Sequence, residues 1–436
     1  MPPTTRHARC PTSSTTPPTR VRTCPRRSPP RRRTEAMRSA VVVGAGIGGL
    51  ATAGALARTG WQVTLLERAD RLRADPAALL LWPNAVAALR SLGLGAGLAA
   101  IGTRVPMGGL RRADGQWLAQ PSPTAALAAP VVVHAEDLHD TFIAGLGDHI
   151  EIRTGITVRS MHARAGDRPA VGDGRHTWEA DVIIAADGAD STLRARLAPQ
   201  SIAVSSGYAA WRAVIPWYRA PKLPDDLVLA GETLSGGYRF LAASLGDRGS
   251  SGASSRGGIY WTATVAGAAR PESKATQLTL LKRWFAGWHA PIADLLAATE
   301  PDDLVQQDGR QLRPLPNELA FPVGTGGFAL VGDAAHAMPH HLAQGAGLAL
   351  EDAATLRALL LPAIPGPACN AALAAYSAAR RSRAAQVVRQ TQRVGAVLAP
   401  RGNLVTRARD RAFGTLAPRV LDRAATVAAD WQPPTA

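Results

Sequence analysis

From residue 40 onward, short apolar segments of this chain alternate with segments of helical character. The apolar residues Ala40–Val43 predict a buried strand, Ile47–Arg58 a helix and Gln62–Leu66 a second strand. A strand, a helix and a second strand in this order form a unit in which two parallel strands are joined across one face of the sheet. The chain is therefore predicted to contain an α/β domain built on a parallel sheet.

The same pattern predicts further elements. A β-hairpin is predicted over residues 104–119, because Asp114-Gly115 favours a tight turn between strands. Residues 206–265 are rich in strand-forming side chains, with a Gly/Ser-rich loop at 246–258, and the last 100 residues are mostly helical. These segments provide a second sheet and a C-terminal helical region. Further strands are predicted at 131–133, 150–158 and 181–186, and a helix from about Asp137.

The charge of the chain is unevenly distributed. The 436 residues include 49 Lys+Arg and 33 Asp+Glu, a formal net charge of +16. Residues 1–36 hold nine Arg and one Glu, so this segment carries half of the excess. The remainder has no basic stripe interleaved with aromatic side chains, which argues against nucleic acid as a partner.

Residues 1–36 also contain eight Pro, eight Thr and three Ser. This composition cannot bury a core and predicts a disordered tail. The break in composition at Met37 supports the hypothesis that Met37 is the natural start. The alternative is a basic, solvated interaction tail.

Cysteine content and hydropathy bound the protein class. The three cysteines, Cys10, Cys24 and Cys369, provide neither a disulfide scaffold nor the spacing of a zinc site. No stretch of about 18 residues lacks both charge and proline, so stable membrane insertion is not predicted. A cytoplasmic protein in a reducing compartment is expected.

The most informative segment begins at Val41. It holds Gly44, Gly46 and Gly49 in a G-x-G-x-x-G spacing between the first predicted strand and helix. The first glycine permits a tight turn, the second lets a pyrophosphate approach the backbone, and the third lets helix and strand pack closely. Glu67 ends the second predicted strand, 23 positions after Gly44, where its carboxylate can accept hydrogen bonds from an adenosine ribose. The segment predicts a dinucleotide-binding site.

A second signature follows the strand predicted at 181–186. Asp187, Gly188, Ser191 and Arg194 form a D-G-x-x-S-x-x-R pattern. Taken alone, this pattern indicates a strand end, a turn and a helix capped by Ser191.

A third segment spans residues 330–353. An apolar strand ends in Gly332-Asp333, and a small-residue loop at Gly345-Ala346-Gly347 opens a helix. His336, His340 and His341 lie between them. No paired carboxylates stand at ligand spacing from these histidines, so a metal site is the less favoured interpretation.

Taken together and in this order, the three segments resemble the class A flavoprotein monooxygenases, the p-hydroxybenzoate and salicylate hydroxylase group. The resemblance runs from about Met37 to Arg423. It includes smaller landmarks of the family at Trp82-Pro83-Asn84, Trp211-Arg212, Arg313-Pro314-Leu315-Pro316, Tyr376 and Arg380-Arg381.

The resemblance implies a Rossmann-like FAD-binding domain with a separate substrate-domain β-sheet and C-terminal helices. It also implies an enzyme that uses FAD, NAD(P)H and dioxygen to hydroxylate an aromatic or electron-rich small molecule through a flavin hydroperoxide. The protein would supply positioning and a dry pocket. Its expected oligomeric state is a monomer or a homodimer.

The resemblance assigns the cofactor contacts to residues of the three motifs. The first motif would hold the ADP half of FAD, the second would lie near the pyrophosphate and NAD(P)H, and the third would contact the ribityl chain and the flavin pyrimidine edge. The predicted cofactor-binding residues are Gly44, Gly46, Gly49, Glu67, Arg68, Asp187, Arg194, Gly332, Asp333, Gly345 and Ala346.

The candidate catalytic residue is Arg212, which the resemblance places in the substrate sheet. A guanidinium there could steer a phenolate or a carboxylate by charge and fork geometry. The alternative is an ion pair that supports the sheet.

The family pattern implies a discontinuous domain organisation. The predicted segments are a tail at 1–36, FAD-binding parts at 37–100, 125–205 and 306–365, a substrate-domain hairpin at 101–124, the substrate sheet at 206–305 and C-terminal helices at 366–436.

Several positions depart from the family pattern. Pro76-Ala77-Ala78-Leu79 replaces a Gly-x-Gly-Ile loop, and Ala135 stands where a family arginine contacts FAD. Trp211-Arg212-Ala213 replaces Trp-Arg-Gly, and Ser244-Leu245 replaces Pro-Leu. One interpretation is drift with local compensation, for example by His134, and the other is altered flavin mobility or weak FAD retention.

Two alternatives to the monooxygenase remain open. One is another flavoenzyme of the same fold, a halogenase or a prenyl-chain reductase. Residues 211–216 have Ala213 where a halogenase W-x-W-x-I-P motif has its second Trp, and the first lysine of the chain is Lys222, which argues against halogenation. The other is a degenerate FAD-binding redox protein, favoured by Pro76, Ala78 and Ala135.

Overall fold

The structure is a computed structural model. It describes residues 37–105, 108–120, 129–164, 166–223, 231–246, 256–267, 269–398, 405–413 and 430–435. The tail predicted at 1–36 lies outside these residues, as does most of the loop predicted at 246–258.

Strands and helices alternate through the first half of the described chain, and helices dominate its end. The strands are β1 Ser39–Val43, β2 Gln62–Leu66, β3 Ala78–Leu81, β4 Thr103–Arg104, β5 Leu110–Arg112, β6 Trp117–Ala119, β7 Val131–His134, β8 Ile150–Arg153, β9 Ser160–His162, β10 Ala170–Gly172, β11 Thr177–Glu179, β12 Val182–Ala185, β13 Ile202–Pro216, β14 Glu232–Ser235, β15 Tyr238–Ser244, β16 Gly258–Ala266, β17 Val305–Arg313, β18 Ala320–Val323 and β19 Gly326–Leu330. The helices are α1 Ile47–Ala57, α2 Pro83–Ser91, α3 Gly95–Ile101, α4 Ala135–Ala144, α5 Thr192–Leu197, α6 Lys274–Trp284, α7 Ile292–Ala298, α8 Asp333–His336, α9 Gly345–Leu360 and α10 Pro367–Leu398.

A six-stranded sheet has the order β18-β19-β12-β1-β2-β8. All neighbouring pairs are parallel except β18 with β19. In its register Val43 lies beside Ala185, and Ala185 lies beside Leu330. The carboxyl ends of β1, β12 and β19 are therefore neighbours, which brings the three sequence motifs to one edge of the sheet.

Helices cover this sheet, which explains its apolar strands. Every residue of β12 is buried, and α1, which contacts both the sheet and α9, buries nine of its eleven residues. Parallel strands covered on both faces are expected to be continuous apolar runs. The pattern at Ala40–Val43 has this origin.

A second sheet has seven strands in the order β17-β13-β16-β15-β14-β5-β6. One face packs against α6 and α7 through large apolar side chains, including Trp211, Phe240 and Trp261. Because side chains alternate along a strand, the intervening residues point to the opposite face. That face presents Arg212, Arg239, Leu241, Tyr260, Thr262 and Thr264.

These observations confirm the predicted α/β class with a separate sheet and C-terminal helices. The predicted hairpin is present as β5 and β6, with Gly115 at φ +84° in the turn. Its predicted start is wrong, because Arg104 belongs to β4, which pairs with β7 in another sheet. The strand predicted at 150–158 is wrong at its end, because β8 stops at Arg153 and the chain turns at Gly155 with φ +72°. No helix in the described ranges is long and apolar enough to cross a membrane.

Candidate active site

A cavity of about 500 Å³ lies where the edge of the six-stranded sheet meets the polar face of the seven-stranded sheet. Clefts at the carboxyl ends of parallel strands are the usual ligand sites of such folds. Seven of the twelve residues predicted for the site line this cavity, namely Gly46, Gly49, Arg212, Gly332, Asp333, Gly345 and Ala346.

The three glycines of the first motif have different structural requirements. Gly44 has φ +102°, and a Cβ there would overlap the carbonyl oxygen of Ala186. A Cβ at Gly49 would overlap the carbonyl oxygen of Gly44. A Cβ at Gly46 would meet no atom within 4 Å. The fold therefore requires Gly44 and Gly49, whereas Gly46 keeps space free at the start of α1, as a bound pyrophosphate requires.

Glu67 joins this motif to the end of β2. Its carboxylate accepts hydrogen bonds from the main-chain N–H groups of Ala45, at 2.7 Å, and Ala69, at 2.9 Å. A carboxylate has further lone pairs, so the side chain can still accept a ribose hydroxyl. The neighbouring Arg68 is exposed.

Asp187 holds the loop after β12. Its carboxylate accepts hydrogen bonds from two main-chain amides at the start of α5, at 2.8 and 3.3 Å. Burial raises the pKa of this carboxyl group, although these hydrogen bonds oppose the shift. Ser191 caps α5 as predicted, accepting a hydrogen bond from the amide of Arg194 at 2.9 Å.

Arg194 is a buried structural arginine. Its guanidinium donates to the carbonyl oxygens of Ala189 at 2.6 Å and of Ser201 and Ala334 at 3.3 Å. These bonds tie the second motif to the helix that begins at Asp333. The structure thus places Arg194 behind the loop, and a direct cofactor contact stays a prediction.

Asp333 follows a backbone turn at Gly332, which has φ +60°. The Asp333 side chain is accessible from the cavity that it lines. The surrounding protein raises the pKa of the carboxyl group by desolvation, although positive groups including Arg212 and Arg194 lower it. This carboxylate is placed to accept hydrogen bonds from hydroxyl groups of a ligand.

The N-terminus of α9 opens onto the same cavity. Gln344 precedes the helix, and its side chain makes no capping hydrogen bond to the first turn. The free N–H groups at Gly345 and Ala346 therefore favour a negatively charged ligand edge.

A buried ion network supports α9 from behind. Arg380 donates to Asp352 at 2.7 Å and to Glu351 at 2.6 Å, and Arg383 donates to Glu351 at 2.9 Å. Glu351 also accepts from Asn84 at 2.6 Å. Asp352 accepts from the main-chain amide of Gly332 at 2.9 Å. The network therefore links α10 to the third motif.

Two histidines lie beside the polar face of the seven-stranded sheet. His340 Nε2 is 2.8 Å from Thr264 Oγ1, and His341 Nδ1 is 2.6 Å from an Arg239 nitrogen. Burial, with Arg239 adding to it, lowers the pKa of His341 to about 3. Burial also lowers the pKa of His340, with Arg212 the next cause. Both imidazoles are neutral near pH 7.

A family model described as an FAD binding domain matches residues 37–391. A 3-hydroxybenzoate 6-hydroxylase of Klebsiella oxytoca is 31% identical over 82% of this chain and 88% of its own length. The chain belongs to the class A FAD-dependent monooxygenases. Further support comes from an aurachin C monooxygenase/isomerase of Stigmatella aurantiaca, 30% identical over 82% of this chain and 88% of that protein.

The solved structures confirm the fold of this monooxygenase. Klebsiella pneumoniae HpxO, in complex with FAD and uric acid, superposes with a TM-score of 0.75 at 24% identity. The superposition covers 91% of this chain and 98% of HpxO. FAD is the cofactor of the monooxygenase, and the open space at Gly46, together with the uncapped start of α9, fits it. Reduction by NAD(P)H is typical of the family.

Sequence reasoning missed several residues of this monooxygenase. Glu232, Arg239 and Thr264 line the cavity beside Arg212 but belong to no short motif. Their alternation with apolar residues on β14, β15 and β16 marks one face of a sheet. The sequence pattern does not show which face lines the cavity.

The departures from the family pattern also have a structural setting. Ala78, Leu79 and Leu80 of β3 line the cavity, and β3 pairs with β7.

The helix predicted from about Asp137 begins two residues earlier, at Ala135, because His134 caps it by accepting from the amide of Glu136 at 3.2 Å. Burial lowers the pKa of His134, so its Nδ1 is available as that acceptor. The effect of Ala135 on FAD retention stays a prediction.

Proposed function

We propose that this monooxygenase hydroxylates a small aromatic substrate that lies between the flavin and the polar face of the seven-stranded sheet, with Arg212 orienting the substrate. The names of the relatives support an aromatic substrate, since one acts on 3-hydroxybenzoate and HpxO binds uric acid. When bound and reduced by NAD(P)H, FAD supplies the activation of dioxygen for transfer of one oxygen atom. The proposed setting is the cytoplasm, where NAD(P)H is supplied.

The flavin side of the proposed site is formed by the three motifs. The start of α1 at Gly46 would hold the pyrophosphate, and Asp333 would accept hydrogen bonds from the ribityl hydroxyls. The N-terminus of α9 would face the pyrimidine edge, where negative charge accumulates on reduction. These assignments are supported by the three groups lining one cavity.

The main support for this substrate assignment is the position of Arg212. Its side chain lines the cavity, and within the described residues the guanidinium has no hydrogen-bond or ion-pair partner. Its charge reaches Asp333, Tyr260 and His340, whose pKa values it lowers. A guanidinium in this position can donate to a phenolate or carboxylate oxygen. The alternative ion-pair role therefore receives no support from the described residues.

The rest of the pocket would hold an aromatic ring in dry surroundings. Leu80, Leu241 and the ring of Tyr260 line the cavity beside Arg212. Tyr260 is 4% exposed and Leu241 8%, so these walls admit little water. Such exclusion favours transfer of oxygen to the substrate over loss of the activated oxygen to solvent.

The test is the variant Arg212→Ala, with Arg153→Ala as the control because Arg153 is an exposed arginine on β8. We expect Arg212→Ala to keep its FAD content while the KM for an aromatic substrate rises at least about tenfold, the scale of one charge-assisted hydrogen bond. We also expect more hydrogen peroxide per NAD(P)H oxidised. Equal KM and equal hydroxylation per NAD(P)H in parent and variant would exclude Arg212 from the substrate site.

A further inference from the structure

We propose that Glu232 limits the negative charge that a substrate can carry. It holds Arg239 in an internal ion pair, so that the cavity accepts aromatic molecules with no more than one anionic group. The inference rests on the proposed function in one respect: it takes this cavity as the substrate site. It adds a residue that determines specificity and narrows the substrate class.

The ion pair is built into two neighbouring strands. One Arg239 nitrogen lies 2.7 Å from each carboxylate oxygen of Glu232. Glu232 pairs with Leu241 and Leu234 pairs with Arg239 across the antiparallel β14 and β15, so the two charged residues are diagonal neighbours. Both side chains line the cavity, and only 19% of Glu232 and 7% of Arg239 is exposed.

His341 fixes the other end of Arg239. Its Nδ1 accepts a hydrogen bond from the second terminal nitrogen of the guanidinium at 2.6 Å. On its far side the imidazole packs against Gly395 of α10, where a Cβ would overlap the ring. Arg239 is therefore held between Glu232 and a neutral imidazole: each terminal nitrogen donates to one of them, while the buried Nε has no partner among the described residues.

The remaining charges at this end of the cavity leave one site for an anion. Arg310 also lines the cavity but pairs with Asp190. Among the cavity-lining residues that the structure describes, Arg212 is the cation without a carboxylate partner. A second anionic group on a ligand would lie against a cation whose charge Glu232 already offsets, and it would lose its hydration without gaining a counter-charge.

The test compares two ligands that differ by one carboxylate, 3-hydroxybenzoate and 5-hydroxyisophthalate. Each is titrated into the oxidised, FAD-loaded enzyme without NAD(P)H, and binding is followed by the change in flavin absorbance. The ratio of the two dissociation constants is compared between parent and variant, so the difference in ligand size cancels. We expect Glu232→Gln to shift this ratio at least about tenfold in favour of the dicarboxylate, because glutamine keeps a hydrogen-bond acceptor for Arg239 but removes the negative charge.

Two further variants separate charge from structure. Arg239→Gln leaves the Glu232 carboxylate without its counter-charge, and we expect it to shift the ratio in the opposite direction. The double variant Glu232→Gln/Arg239→Gln removes both charges and should return the ratio close to that of the parent. If Glu232→Gln fails to fold, the opposite shift in Arg239→Gln still tests the proposal.

Asp303→Asn is the matched control. Both carboxylate oxygens of Asp303 accept from one nitrogen of Arg219, at 2.7 and 2.9 Å. This geometry is the same as that of Glu232 with Arg239, but neither Asp303 nor Arg219 lines the cavity. The variant should leave the ligand ratio unchanged. FAD content and the thermal midpoint are measured for every variant.

The outcomes distinguish this inference from the proposed function. If both ligands bind and Glu232→Gln leaves the ratio of their dissociation constants unchanged, Glu232 does not limit the charge of the substrate, while the proposed function stands. If neither ligand perturbs the flavin of the parent enzyme, the substrate assignment in the proposed function fails, and the inference fails with it.

Discussion

Replacing Gly46 and Gly49 separately by alanine should distinguish cofactor binding from folding, although the two positions are only three residues apart. Both belong to the G-x-G-x-x-G motif, and both substitutions add one methyl group. The surroundings of that methyl group differ completely between the two sites, so the same chemical change is expected to have two different consequences.

At Gly46 the added methyl group has space in the protein but not in the complex. The residue has φ −72° and ψ −178°, an extended conformation open to any residue, and a Cβ there would meet no atom within 4 Å. The free energy of unfolding of the apoprotein should therefore stay unchanged or rise by about 0.4–1 kcal/mol. A phosphate held by the nearby amides would be displaced, at a cost of about 1.5–3 kcal/mol for a charged hydrogen bond. That cost corresponds to a loss of roughly 10- to 150-fold in FAD affinity.

At Gly49 the added methyl group has no space in the protein itself. A Cβ there would overlap the carbonyl oxygen of Gly44 and lie 3.0 Å from its carbonyl carbon. Helix α1 would have to move away from β1, and overpacking of this kind costs about 1–3 kcal/mol or more. FAD binding should fall as well, as a consequence of the altered helix.

The assay measures two quantities on each variant. Urea denaturation of the apoprotein gives the free energy of unfolding, and calorimetric titration with FAD gives the affinity. If Gly46→Ala binds FAD as tightly as the parent, the pyrophosphate does not lie against the backbone at this residue. Parental stability in Gly49→Ala would refute the close packing of α1 on the turn after β1.

Two further substitutions address the third motif. Ala343 has φ +50°, a conformation that costs an L-residue about 1–2 kcal/mol. Glycine removes this strain but loses about 0.4–1 kcal/mol more in backbone entropy on folding, so Ala343→Gly should raise the free energy of unfolding by roughly 1 kcal/mol; a value below that of the parent in urea denaturation would contradict this account. Asp352→Asn removes the charge that Arg380 and His336 face at 2.7 Å and should destabilise the protein by about 3–5 kcal/mol. Burial alone would raise the pKa of Asp352, but His336 and Arg380 hold it below its ordinary value. The resulting stabilisation is complete above about pH 5, where the unfolded carboxyl is ionised, and is lost as the pH falls through the native pKa. As the pH falls, the free energy of unfolding should therefore decrease more steeply in the parent than in Asp352→Asn. An equal dependence on pH in the two proteins would contradict the role of the Asp352 charge.

The edge of the six-stranded sheet, which is the proposed flavin side of the cavity, could be predicted from the sequence because its features are local. Gly44 needs a positive φ and Gly49 needs close packing, and both requirements are met within one strand, one turn and one helix. Asp187 and Asp333 each follow a buried strand directly. Parallel pairing of β1, β12 and β19 then brings all three motifs to the same edge without further information.

The polar face of the seven-stranded sheet, which is the proposed substrate side, could not be predicted in the same way, because its contacts join distant segments. Glu232 and Arg239 meet through the register of a hairpin, and His341 reaches them from more than 100 residues along the chain. Arg194 differs from these residues, because it belongs to a recognisable motif but makes contacts that the motif does not indicate. Its motif predicts a cofactor contact, which stays a prediction, whereas the structure shows its guanidinium donating to three carbonyl oxygens, and such long-range main-chain contacts are not visible in a sequence.

Helix α10 connects the two halves of the site. Near its middle, Arg380 holds the carboxylates that support the third motif and α9. Fifteen residues later, about 22 Å along the axis at 1.5 Å per residue, Gly395 packs against the imidazole that fixes Arg239. Because an α-helix is stiff over this distance, a shift of α10 would move the carboxylates behind the third motif and the imidazole that fixes Arg239 together. The absence of a side chain at Gly395 is therefore a requirement for the position of His341 beside Arg239, although the residue lies on a helix far from the first two motifs in sequence.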